Sequence, residues 1–168
     1  MRSTLILLTG ITAALTLACD PGVQMSDFQN FAVYAQSPNR VFEALTAELV
    51  ARDVLSGDLA SELGGSLLDA LAAGEPSQFN SESVLQSPDE LAALVPEEFR
   101  HFIGDEGGRY VLELSMEPAA DGGLRLTVTP VIIATVRGGE GPLGGRPLPS
   151  NGYLESSILD SLNRRLGG

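Results

Sequence analysis

The residues able to do chemistry in this chain are few and scattered. His101 is the single histidine, flanked by Phe99 and Phe102. No second histidine or cysteine lies near it to make a metal pair. A nucleophilic triad would join it to a distant serine and aspartate, yet no serine has the Gly-x-Ser-x-Gly setting of a hydrolase nucleophile. Glu97 and Glu98 adjoin each other, and adjacent helical positions do not share a face. They read as a solvated first turn rather than a paired acid and base. Asp105 and Glu106 lie in a glycine-bounded turn that could touch a cation, but without the ligand spacing of a calcium loop. Residues 137–149, RGGEGPLGGRPLP, are glycine-rich but lack the Gly-Lys-Ser/Thr that a phosphate loop needs; an exposed, irregular loop is expected there. No catalytic residue, metal ligand or cofactor is assigned.

Cys19 is the one position with a specific chemical reading, and it is the only cysteine. Arg2 is the only charge before it. An apolar run over residues 5–17 follows, broken by Thr9, Gly10, Thr12 and Thr16, and Ala18 directly precedes the cysteine. A positive start, a short apolar stretch and a small residue before the cut describe a cleaved export signal. The run is shorter than the roughly 20 residues a helix needs to cross a bilayer. These residues resemble a bacterial lipoprotein signal. In that family the cysteine is acylated after cleavage, a small residue precedes it, and a leucine-like residue stands three before it. Ala18 matches the second feature; Thr16 stands at the third. The resemblance implies a signal peptide over 1–18, lipid attachment at Cys19 and a lipidated tether over 19–27. It also implies a place in the cell envelope on the periplasmic side. One acyl chain holds a protein only marginally, whereas two or three retain it. Cleavage after Ala18 with soluble release, or an uncleaved anchor, are the alternatives.

About 150 residues remain after such a cut, enough for one domain with a real core. With no second cysteine, that core carries the fold without a disulfide. All ten basic residues are arginine; losing Arg2 leaves nine against 22 carboxylates. A balance this acidic argues against nucleic acid as a partner and against docking on anionic lipid through a basic patch.

Hydrophobic period then divides residues 28–168 into elements of a single α+β domain. Residues 28–35 suggest a first strand, with Phe31, Val33 and Ala35 alternating. Ser37 and Pro38 open a helix, one as cap and one in the first turn. It should run to residues 54–57, with Val41, Phe42, Leu45, Leu49 and Arg52 on one face and Glu43, Glu48 and Asp53 off it. Leucines 59, 63, 67, 68 and 71 predict a second helix capped by Asp58 and ended by Gly74. Residues 75–87 are polar and expected as loop. Ser87 to Glu90 has the capping-box spacing, with Pro88 first in the helix, and predicts a short helix to about 95. Another turn follows over 96–102.

The main hairpin is expected at about 109–136. Tyr110, Leu112, Leu114 and Met116 alternate with Val111, Glu113 and Ser115. Leu124, Leu126 and Val128 alternate across a turn containing Asp-Gly. Pro130 should mark a bulge or an edge. Ser150 or Asn151 should cap a last helix. In it Leu154, Ile158, Leu162 and Leu166 repeat every fourth residue, Arg164 and Arg165 complement the dipole, and Gly167 stops the turn. This C-terminal helix is expected to cover the hairpin.

That order of elements, at 31–34, 37–49, 109–116, 124–136 and 154–166, resembles the helix-grip domains of the lipoprotein C component of the outer-membrane barrel assembly machinery. The leucine helix at 59–71 departs from them. The resemblance implies a protein-binding accessory of the envelope. The chain is therefore expected to be a membrane-anchored, non-enzymatic lipoprotein, held by acyl chains and engaging an envelope protein. A carrier of a small apolar ligand or lipid in a sheet–helix groove is the second reading. A hydrolase using His101 is the third.

Overall fold

Two long strands dominate because their side chains alternate so regularly. β4 (Gly108–Pro118) and β5 (Leu124–Thr135) pair antiparallel from Gly108 opposite Ala134 to Pro118 opposite Leu124. Gly122, at φ +82°, lets the chain reverse between them. The computed structural model describes residues 28–120, 122–135 and 145–167. The expected signal peptide, Cys19 and the tether therefore lie outside the described residues, as do Val136 and most of the glycine-rich loop.

Four short strands complete a six-stranded sheet. β1 (Phe31–Tyr34) and β6 (Gly145–Leu148) share the outer side of β5, while β2 (Ser77–Asn80) and β3 (Val84–Gln86) share the outer side of β4. Two expectations are corrected here. Residues 75–87 are not a loop, because β2 and β3 pair with Met116–Glu113 and Tyr110–Gly108. The end of the glycine-rich segment is not irregular either, since β6 pairs with Ile132–Thr135. In both cases the long strand supplies the hydrogen-bonding edge that a segment of three or four residues cannot supply for itself.

Pro130 interrupts neither the strand nor its register; it lies opposite Leu112, and no bulge forms. Its side of β5 is marked by Val128, whose N–H donates to Asn30 O. Two residues on, Pro130 faces the interval between the end of β1 pairing and the start of β6 pairing. No strand there asks for its missing N–H, so it occupies a local edge inside a long strand. Across β4 the matching interval is bridged by Ser81. Its N–H donates to Leu112 O and its Oγ accepts from Leu112 N–H at 2.9 Å.

One face of this sheet is covered by α1 (Pro38–Ala51), α2 (Gly57–Ala72), α3 (Pro88–Ala92) and α4 (Tyr153–Leu166), with a 3-10 turn at Glu97–Phe102. α1 lies between α4 and α2; α4 packs on β1 and β5, and α2 on β2 and β4. α4 thus covers only the β1–β5 side of the hairpin, and α1 and α2 cover the rest. The core joins Leu112, Leu114, Met116, Leu126 and Val128 to Val41, Leu45, Leu49, Ile158 and Leu162, all fully buried. Phe42 meets Phe79 edge-on at 6.3 Å.

The helix ends follow local chemistry with five corrections. Ser37 holds the N-cap position of α1, but its side chain makes no capping hydrogen bond. α1 stops at Ala51, short of 54–57: Asp53 N–H donates to Val50 O, Val54 N–H to Leu49 O, and Asp53 adopts φ +54°. This is the paired C-terminal motif usually built on glycine, and an aspartate in that place gives no warning in the sequence. α2 is capped by Ser56, whose side chain accepts from Leu59 N–H, and Asp58 falls in the first turn. Gly74, at φ +79°, ends it as expected. The capping box of Ser87 and Glu90 forms, although α3 ends at Ala92. At α4 the N-cap is Gly152, not Ser150 or Asn151; those side chains accept from Gly152 N–H and Tyr153 N–H instead.

Candidate functional site

Among the described residues the helices lie on one side only, so no described helix covers the opposite side of the sheet, although Ile133 at its Arg109 end is buried. Val111 and Val131, Glu113 and Thr129, Ser115 and Thr127, and Glu117 and Arg125 sit opposite one another there in register. Alternation sends their neighbours into the core and leaves these side chains partly or fully exposed. Arg125 places its guanidinium 3.9 Å from the centre of the Phe31 ring at the β1 margin. Val33, 51% exposed, extends that margin. The face carries apolar, hydroxyl and oppositely charged groups in rows, so it suits a surface contact. It offers no concentrated nucleophile, base or metal ligand.

The groups singled out by residue type are not brought together. His101 lies on the exposed side of the 3-10 turn with its ring 3.8 Å from that of Phe102, and Arg146 from β6 stacks over Phe102 at 3.4 Å. Among the described residues, no serine or carboxylate hydrogen-bonds to His101. Glu97 and Glu98 are exposed in the first turn of the same element. Asp105 and Glu106 line an open cleft of about 210 Å³ with Gly104 and Thr135. Among the described residues, no three His, Cys, Asp or Glu side chains converge as a metal would require.

A different cluster forms where α1 meets α4. Glu48, expected off the buried face, is 6% exposed. Its carboxylate accepts from Arg52 Nε at 2.7 Å, Ser161 Oγ at 2.7 Å and Arg165 Nε at 3.0 Å. Arg52 also donates through Nη2 to Ser157 O and Oγ. Burial pushes the Glu48 carboxyl up. Hydrogen bonds from Ser161 and Arg52, with the charges of Arg52 and Arg165, outweigh that and hold it below the usual carboxylate range. The arrangement neutralises the single carboxylate with two guanidinium groups, so it ties α4 to α1 and leaves no free acid.

Two further buried polar groups lie on and under α4. Glu155 is 2% exposed and accepts from Ser150 Oγ at 2.9 Å. Burial raises its pKa, only partly offset by its own backbone N–H and Ser150. Tyr34, under the same helix, has its hydroxyl pushed up to about 12 by burial and by the charge of Asp160. Sequence spacing gave no signal for the Glu48 cluster beyond Glu48 and Arg52 standing four apart; Ser161 and Arg165 lie more than a hundred positions away.

No protein family, curated protein or solved structure matches this chain.

Proposed function

We propose that this chain is a lipid-anchored protein of the bacterial envelope whose domain is a non-catalytic module that docks a protein partner. Cys19 carries the acyl chains, residues 19–27 form the tether, and the uncovered face of the sheet receives the partner. That face is the observation that carries the reading: a long, regular hairpin is shielded by helices on one side and presents rows of mixed side chains on the other. The carrier reading has less support. Leu126 and Val128 of the sheet and Ile158 and Leu162 of α4 belong to one core cluster, and all four are fully buried.

Mild crosslinking in the native membranes tests the reading. A reproducible adduct should form with the wild-type chain and disappear with Thr129→Arg and Glu113→Arg, while urea unfolding stays within about 0.5 kcal/mol of wild type, as for ordinary surface changes. An adduct unchanged by both substitutions refutes docking on this face. Intact mass of the mature protein tests the anchor separately: residues 1–18 should be gone and acyl chains present on Cys19.

A further inference from the structure

The two layers of the fold run in the same order. α4, α1 and α2 lie side by side over β1 and β6, β5, β4, then β2 and β3. The molecule therefore has one edge made of α4, β1 and β6 and an opposite edge made of α2, β2 and β3. Phe28 belongs to the first. A Cβ added at Gly152 would lie 2.6 Å from the Phe28 ring, so the chain arriving from Cys19 reaches the fold at the start of α4. Phe28 is nine positions beyond Cys19, a span of at most about 30 Å when fully extended. That reach keeps this edge close to whatever holds the acyl chains.

Charge divides along the same line. Residues 57–86, which build the far edge, contain five carboxylates and no basic residue. Residues 145–167, which build β6 and α4, contain three arginines and two carboxylates, and one of those, Glu155, is buried. β6 and α4 are thus less acidic than the far edge of a strongly acidic protein. The near edge also carries Tyr153, 61% exposed beside Gly152. An aromatic ring with a polar tip is the side chain that settles at the level of lipid headgroups. The total charge opposes capture by an anionic surface. Once acyl chains supply the capture, charge decides only which side turns inward.

We infer that the near edge rests against the bilayer surface: the start of α4 with Tyr153 and Phe28, together with Arg146 and Arg164, faces the lipid headgroups, and the acidic α2–β2–β3 edge points away. This rests on the lipid anchor proposed above. The uncovered sheet face then stands roughly upright on the membrane, open to a partner from the side.

The test uses full-length lipidated protein in vesicles of phosphatidylethanolamine and phosphatidylglycerol bearing headgroup nitroxides. With Cys19 acylated, a single introduced thiol can be labelled with a fluorophore at Tyr153→Cys, Val33→Cys or, as the far-edge position, Leu85→Cys. All three positions are exposed, and Leu85 is 80% exposed. Quenching should be several-fold stronger at 153 and 33 than at 85. Equal quenching at near and far positions, on protein whose mass shows the acyl chains, overturns the orientation and leaves the anchor standing. A mass without acyl chains overturns the anchor and the orientation together.

Discussion

Replacing Glu48 by alanine removes the acceptor that joins α1 to α4. Three donors lose their partner: Arg52 Nε, Ser161 Oγ and Arg165 Nε. Breaking a fully buried ion pair costs about 3–5 kcal/mol, but these cations are not fully buried. The Arg165 side chain is 43% exposed and returns to water, so its share is below about 1 kcal/mol. Arg52, 27% exposed, keeps its contacts with Ser157 and is only partly rehydrated. Hydrogen bonds to a charged group are worth about 1.5–3 kcal/mol net, and alanine's better helix propensity returns a little. The expected loss is about 2–3 kcal/mol, a fall in Tm of about 5–10 °C for a chain of this length.

Equilibrium urea unfolding and a thermal melt read both quantities. The sign with pH is also set. The folded Glu48 carboxyl titrates below its ordinary 4.5, so its contribution is complete above that value and is lost as pH falls through the folded pKa. The gap between wild type and Glu48→Ala should therefore be widest near neutrality and close in acid. A double-mutant cycle should show stronger coupling of Glu48 to Arg52 than to Arg165. A loss under about 0.5 kcal/mol at neutral pH, the range of ordinary surface changes, would refute the view that this cluster holds α4 in place.

Glu155 should behave in the opposite sense. Its folded pKa is raised above 4.5, so wild-type stability declines as pH rises through that region, whereas Glu155→Gln should not decline. Urea midpoints across a pH series should place the glutamine variant about 1 kcal/mol higher at neutrality; a wild type as stable as the variant there contradicts the reading. Gly152→Ala must accept φ +86° and a methyl 2.6 Å from the Phe28 ring, costing about 1–3 kcal/mol in the same assay. Adding Phe28→Ala should relieve the contact but not the backbone strain. Ser81→Ala leaves the Leu112 N–H without its acceptor and should cost about 1–3 kcal/mol. Hydrogen exchange should show faster exchange at the Leu112 amide, and an unchanged rate counts against the bridge.

The elements legible in the sequence are those whose cause is local. The β4–β5 hairpin announces itself through strict alternation from Tyr110 to Met116 and from Leu124 to Val128, because one face of each strand must be apolar to be buried. α4 does so through Leu154, Ile158, Leu162 and Leu166, spaced to fall on one side of a helix. Ser87, Pro88 and Glu90 start α3 by contacts within four residues. Tertiary structure decided what such patterns do not encode. β2 and β3 are strands because β4 offers an unpaired edge, and Pro130 is tolerated because β1 and β6 leave an interval opposite it. Glu48 looks like a solvated carboxylate until α4 brings Ser161 and Arg165 over it. The uncovered sheet face has the same origin. Alternation specifies that one side of the hairpin is polar, but only the packing of the described helices on the other side leaves it without a helical cover, since pairing and burial across a hundred residues are properties of the assembled chain.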